Sequence, residues 1–302
     1  MTHAEQETIV VVGATGFVGR HAVPHLERAG YAVRAVSRDG ARRPDWGPAV
    51  TPMAADVETG AGLDDAVRGA DAVVHLVAVP REAGGHSFEE VNVRGVERVL
   101  TAMRSGGVTR IVYLSAMGVT DDPALRFLSS KWRGERLVRE SEMDWVALRP
   151  SLLFGPGDGF FNLIKVTLTW WSPGVVAIPG DGTTRFQPLA VDDLAYAVER
   201  SLADPDRRRT VYELGGPAFL TYTEIVDAVM RATGKRRLKL RMPMPLIRFI
   251  TAVTDRVLPI FPVSHDQILS MGRPNFAELG AFEDAFDRAP RAFDISYLSG
   301  RG

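Results

Sequence analysis

The run Val12-Gly13-Ala14-Thr15-Gly16-Phe17-Val18-Gly19 constrains this chain more than any other feature. It follows a β-branched stretch, Thr8–Val12. It opens an amphipathic one, Phe17–Ala29, in which Phe17, Val18, Ala22 and Leu26 recur at helical spacing before Gly30. A strand that turns sharply into a helix needs a residue free to take a left-handed backbone, and Gly13 stands where the strand ends. Gly16 leaves the backbone open to a ligand, and Gly19 lets the helix lie close on the sheet. The unpaired N–H groups of a helix start, together with the helix dipole, attract phosphate. The spacing therefore reads as a cradle for the pyrophosphate of a dinucleotide, built from Gly13, Thr15, Gly16, Phe17, Val18 and Gly19. Glycines alone are weak evidence. The strand before them, the helix after them and a second strand at Tyr31–Val36 that closes the βαβ unit make the reading specific.

The alternation continues. Strands are predicted at Val50–Ala54, Ala72–Val77, Arg110–Ser115 and Trp145–Leu148, with helices over 63–68, 89–104 and 125–141 between them. Strands alternating with helices imply right-handed crossovers and a parallel sheet. Near-continuous apolar runs fit strands covered on both faces. The predicted fold is α/β, a doubly wound parallel Rossmann sheet with a smaller, mostly helical C-terminal lobe. Residues 1–155 form the dinucleotide-binding domain, and 188–215 return to it. Residues 156–187 and 216–302 form the small lobe, with any substrate expected between the two. A helix over 221–233 carries a capping box, Thr221 with Glu224 three residues on. The remainder of the chain reads as helical and Pro-punctuated, and beyond Asn275 the periodicity weakens.

Composition narrows the function. With 302 residues, 45% of them hydrophobic, the chain can bury a large core. Its net charge of -1 gives no sign of a nucleic-acid partner. The absence of cysteine excludes disulfides and thiolate chemistry. The polar, acid-bearing start is unlike a signal or transit peptide, and no run approaches the roughly 20 apolar residues of a membrane span. The expected location is cytoplasmic. A peripheral membrane contact or a protein partner is the sharper reading of the amphipathic, Pro-bounded stretch 241–263.

The end of the second strand selects the cofactor. An acid there binds the ribose 2′-hydroxyl of NAD, but this chain has Val36-Ser37-Arg38-Asp39. Ser37 and the forked guanidinium of Arg38 suit a 2′-phosphate, with Arg42 and Arg43 adding charge. NADP(H) is favoured; NAD(H) is the alternative, with Asp39 turned inward.

Taken together, these motifs resemble the extended and atypical short-chain dehydrogenase/reductases, over roughly residues 7–235. Ala55-Asp56-Val57 resembles that family's adenine-contacting segment, and His75-Leu76-Val77-Ala78 the loop beside the adenine ribose. Val91–Val96 is similar to the helix behind the site, and Val112–Ala116 to the strand carrying the catalytic serine, here Ser115. Arg149–Asp158 is similar to the segment flanking the nicotinamide, which brings in Pro150. Within the superfamily the chain resembles the atypical group of the 39 kDa (NDUFA9-type) subunit of respiratory complex I. The features behind that are Ser130–Glu135, the arginine after the second strand and Asp266–Leu269. The resemblance implies that Gly13, Thr15, Gly16, Phe17, Val18, Gly19, Ser37, Arg38, Asp56, Val57, Leu76, Val77, Ala78, Lys131 and Pro150 surround the cofactor.

Active members of the superfamily use Tyr-x-x-x-Lys, the lysine binding the ribose and the tyrosine exchanging the proton. Four residues before Lys131 this chain has Phe127. The spacing keeps both on one helical face, but a phenyl ring has no proton to give. The first reading is a protein that holds NAD(P)(H) for structural, sensing or weak redox use. The alternative is an NADPH-dependent reductase or an epimerase- or dehydratase-like enzyme on a small carbonyl, quinone-like or sugar-like substrate. Its proton would come from Ser115, a water or the substrate. A third is an interaction module without cofactor. The six histidines show no metal-ligand spacing, and His21 and His25, four apart, read as a surface pair. Asp64-Asp65 and Asp192-Asp193 suit helix starts, and Trp170 and Trp171 fit either a pocket or a core.

Overall fold

The computed structural model describes residues 6–168, 174–257, 266, 269 and 275–299. Trp170, Trp171, Gln267 and Ile268 lie outside them. In chain order the strands are β1 (Thr8–Val12), β2 (Ala32–Ser37), β3 (Val50–Ala54), β4 (Ala72–His75), β5 (Arg110–Leu114), β6 (Asp144–Pro150), β7 (Leu153–Phe154), β8 (Val175–Pro179), β9 (Arg185–Phe186), β10 (Leu189–Ala190), β11 (Thr210–Leu214), β12 (Leu220–Thr221) and β13 (Leu238–Met242). The helices used below are α1 (Phe17–Arg28), α2 (Leu63–Val67), α3 (Gly95–Gly106), α4 (Arg126–Glu140), α5 (Phe160–Val166), α6 (Val191–Ala203), α7 (Tyr222–Thr233) and α8 (Met244–Val257).

Seven strands make one sheet in the order β11-β6-β5-β4-β1-β2-β3, parallel from β1 through β6. The order reverses beside β1, where an open α/β sheet forms its ligand crevice. Val10, Val12 and Val73 on the strands pack with Val99, Leu100 and Met103 of α3 and with Leu63 and Val67 of α2. Both faces of the central strands are thus covered, which is why the sequence shows runs there and not alternation.

The chain divides into two compact units. One holds the residues up to Arg149 together with Val191–Tyr212. The other holds Pro150–Ala190 and the chain from Glu213 onward. In the first unit α6 packs along α1. His21 Nδ1 lies 2.8 Å from Asp192 and His25 Nε2 4.0 Å from Glu199, so the histidine pair joins two helices and is not a bare surface feature. Asp64-Asp65 and Asp192-Asp193 do sit in the first turns of α2 and α6.

The second unit gathers Phe161 and Ile164 of α5, Ile225, Val226 and Val229 of α7, and Val176 and Ile178 of β8 into one core. The Thr221–Glu224 capping box is present at α7. Two expectations need correction. The stretch after α7 is not helical throughout: Leu238-Lys239-Leu240-Arg241-Met242 alternates with period two and pairs parallel with β8. The segment after Asn275 lacks periodicity yet is anchored, because single aromatic residues replace a repeating stripe. Ile295 and Leu298 are buried in this core, Phe293 packs on Phe154, and Tyr297 donates a 2.6 Å hydrogen bond to Asp158. No helix among the described residues is long and apolar enough to cross a membrane.

The tightest backbone approach of the first unit is at α1. A Cβ on Gly19 would lie 2.3 Å from the Gly13 carbonyl oxygen and 2.5 Å from that of Ala14. Gly19→Ala must push α1 off the turn, so we expect a loss of about 1–3 kcal/mol, the usual cost of overpacking. Thermal unfolding checks it; an unchanged midpoint would mean that the turn gives way freely.

Candidate functional site

The turn between β1 and α1 is fixed by backbone. Gly13 has φ +94°, and the amides of Gly13 and Ala14 donate to the Val36 carbonyl at the end of β2, 3.2 and 3.1 Å away. A Cβ on Gly13 would lie 3.0 Å from Val77 Cγ2, so the loop after β4 closes on the turn. Gly16 caps α1 without any side-chain hydrogen bond. The first amides of the helix therefore keep their donors for an anion.

Gly13, Thr15, Ser37, Arg38, Asp56, Val57 and Val77 line one cleft beyond the carboxyl ends of β1 to β4, with Val12, Val36, Ala55, Glu58, Val79, His86 and Val91. Its walls are mostly aliphatic, and its polar groups cluster at one end. That is the form of a site for a flat aromatic base with a charged ribose beside it. Of the other predicted contacts, Gly16, Phe17, Val18 and Gly19 form the helix start, Leu76 and Ala78 flank Val77, and Pro150 ends β6; none of them lines the cleft.

At the polar end the Ser37 hydroxyl donates to Asp39 Oδ1 at 2.8 Å, and the Ala41 amide donates to the same oxygen at 3.2 Å. The Ser37 bond, then the Ala41 amide, hold the Asp39 carboxyl below its ordinary range. Arg38 Nη1 lies 3.1 Å from His86 Nε2, and His86 Nδ1 2.6 Å from Glu58. A guanidinium only donates, so Nε2 accepts and Nδ1 carries the hydrogen donated to Glu58. Arg38 forms no ion pair with a carboxylate among the described residues. Arg42 and Arg43 do not join it: Arg42 donates to the carbonyls of Val50, Trp46 and Gly47, and Arg43 pairs with Asp45. Nothing in the sequence singles out Glu58 and His86 as site residues. They stand 28 residues apart on separate loops, and no spacing rule joins them.

The catalytic segment is arranged differently from its sequence promise. Phe127, half-buried on α4, packs its ring against Phe88. Lys131 is 2% exposed. Its Nζ donates to the Leu114 carbonyl at 2.6 Å and lies 4.6 Å from the centre of the Tyr113 ring. Burial pushes this ammonium down to about 7, against the pull of the Glu135 carboxylate. The Ser115 hydroxyl donates to Glu135 Oε2 at 2.6 Å. Arg149 grips the same carboxylate with a fork, 2.9 and 2.7 Å, and Arg139 stands 3.4 Å from Oε1. Burial raises the Glu135 carboxyl, but the hydrogen bonds from Arg149 and Ser115 outweigh it and leave it below its ordinary range. Beside them His75 stacks on Tyr113 at 5.7 Å, and neither imidazole nitrogen nor the phenol oxygen has a hydrogen-bond partner. Burial, reinforced by the Lys131 charge, takes His75 down to about 3, so it is neutral. Glu135 was legible in one respect: Leu128, Lys131, Glu135 and Val138 follow the spacing of a buried helix face, which places two ionisable residues inward.

A family model described as NAD(P)H-binding matches residues 13–164, half of the chain. The chain belongs to the NAD(P)H-binding family. It is 28% identical over 288 residues to the mitochondrial NADH-ubiquinone oxidoreductase 40 kDa subunit of Neurospora crassa, covering 90% of this chain and 75% of that one. It is 27% identical over 260 residues to a ceramide reductase of Caulobacter vibrioides, covering 82% and 77%. The solved structure of MoeE5 in complex with UDP-glucose and NAD shares the fold, with a TM-score of 0.71, 23% identity and coverage of 97% and 96%. The resemblance to the complex I subunit group and the Rossmann architecture read from the motifs are both supported by these relatives. The cleft fits the family's nucleotide: a left-handed glycine, an uncapped helix start and one arginine without a carboxylate partner surround it.

Lys131 gives a pH signature. Its folded value, about 7, lies below the ordinary 10.5. Below pH 7 the buried charge weakens the fold. Between pH 7 and about 10 the folded chain has released a proton that the unfolded chain still holds, so stability rises with pH. Urea unfolding of wild type and Lys131→Met should show the difference in stability shifting toward the wild type by up to about 1.4 kcal/mol per pH unit across that window. A difference independent of pH would place the ammonium in water.

Proposed function

We propose that this chain holds NADP(H) in preference to NAD(H), and holds it as a bound ligand more than as a reactant. The preference is supported by Arg38, which faces the cleft with one hydrogen bond to a neutral imidazole and no carboxylate partner. Asp39 is occupied by Ser37 and the Ala41 amide. Gly13, Thr15 and Gly16 would hold the pyrophosphate, Asp56, Val57 and Val77 the adenosine, and Arg38 the 2′-phosphate. A bound nicotinamide would supply a hydride.

The single observation that carries the quiet reading is the state of the three groups that would handle the proton. Phe127 has none. The Ser115 hydroxyl is donated to Glu135, and Lys131 donates to a backbone carbonyl from a buried position. The complex I relative fits a protein that keeps such a cofactor within an assembly. The 241–263 stretch is the surface through which this chain would meet a partner. A reductase is the second reading, favoured by the similarity to the Caulobacter reductase and by a lysine whose charge is lost near neutrality.

Two measurements test this. Calorimetric titration should show NADPH binding more tightly than NADH. Arg38→Ala should lose about 10- to 150-fold in NADPH affinity, the 1.5–3 kcal/mol of a charge-assisted contact, with NADH little changed. Equal wild-type affinities would overturn the preference.

Turnover decides the rest. With NADPH and simple aldehydes or ketones the wild type should show no appreciable rate. Phe127→Tyr should raise any slow activity by up to about 10²–10⁴-fold, the contribution of a placed acid. Wild-type rates on the order of 1–10³ per second would establish an enzyme.

A further inference from the structure

We infer that β13 and the start of α8 form a docking face for an anionic lipid surface. This rests on reading the 241–263 stretch as a contact surface and is independent of the cofactor. Between Gly234 and Val253 the chain carries Lys235, Arg236, Arg237, Lys239, Arg241 and Arg248 and no acid, in a protein whose net charge is -1. The charge is therefore concentrated here. Lys239 pairs with Asp227. Lys235, Arg236, Arg241 and Arg248 are exposed.

Large apolar side chains stand among these charges. Leu238 is 72% exposed, Leu240 53%, Leu246 47% and Phe249 68%. In α8, Ile247 and Thr251 supply the buried stripe, four residues apart. Leu246 and Phe249, three apart, share the opposite side with Arg248 next to Phe249. On β13 the two leucines alternate with Lys239 and Arg241. Water-exposed leucine and phenylalanine are costly in a contiguous patch unless something apolar receives them.

The combination selects the occupant. A second copy of the same face would set the same cations against each other across an isologous contact. A nucleic acid would use the charges but offers nothing to protruding aliphatic side chains. A lipid bilayer with acidic headgroups takes both: aliphatic and aromatic groups enter the acyl boundary while lysine and arginine meet the phosphates.

Co-sedimentation of the full chain with vesicles tests it. We expect binding to phosphatidylcholine vesicles containing phosphatidylglycerol, weak binding to phosphatidylcholine alone, and loss of binding as salt rises. Arg236→Gln with Arg241→Gln should reduce partitioning roughly thirtyfold, each basic residue near such a surface contributing about 1 kcal/mol. Leu238→Ser with Phe249→Ser should weaken binding even at low salt, and neither pair should alter nucleotide affinity. Hydrogen exchange over 235–251 should slow only with the acidic vesicles. Equal binding to both vesicle types, or no binding to either, overturns the lipid partner. Protection of the same segment by duplex DNA or by self-association, without vesicle binding, would keep a docking surface and change its occupant. Protection under none of these conditions would refute the surface itself.

Discussion

Everything at the catalytic edge of the sheet depends on one carboxylate with no exposure to water. Glu135 sits on the inward face of α4 and is gripped by Arg149 from β6, with Ser115 from the end of β5 bonded to the same group. An ionised group is stable at that depth only because the fork and the hydroxyl replace its hydration. Removing Arg149 would leave a buried charge alone, which costs far more than the pair gains. The bond that satisfies Glu135 also takes the Ser115 hydroxyl out of service. Lys131, one turn earlier, is turned in the same way toward the Leu114 carbonyl. Stability and chemistry compete for the same side chains here, and stability holds them.

The nucleotide end obeys the opposite logic. Its groups are left short of partners. The first amides of α1 have no cap, Gly13 is held in a left-handed conformation by two bonds to the Val36 carbonyl, and Arg38 has a single acceptor. Interposing neutral His86 between Arg38 and Glu58 keeps the two charges from pairing directly, which would cancel the attraction for an anion. The cleft stays primed for phosphate while the catalytic edge is closed upon itself. The combination suits a family member that retains its ligand and has surrendered its proton relay.

How much of this was legible varies with the kind of interaction. The glycine turn, β1, β3 and β11, and the Thr221–Glu224 box were readable because each depends on neighbours in sequence. The Phe127–Lys131 spacing was readable for the same reason. The orientation of Lys131 was not: helical spacing gives a face, and only packing against Tyr113 shows that the face is interior. Arg42 and Arg43 looked like cofactor cations. Their commitment to the Trp46, Gly47 and Val50 carbonyls and to Asp45 became visible only when the loop took its shape. The segment after Asn275 was obscure because it is held by isolated aromatic residues and a tyrosine–aspartate bond across 139 residues.

By itself the sequence determined the class of fold, the place of the dinucleotide cradle and the missing tyrosine, since all three are local: a turn, a periodicity, a residue identity. Tertiary structure decided which groups remain free to act. It set Arg38 on the cleft and withdrew Arg42. It gave Ser115 to Glu135, and it left Leu238 and Phe249 in water. Whether a donor is available, a charge compensated or an apolar side chain covered depends on residues far away in the chain, and only the folded chain brings those together.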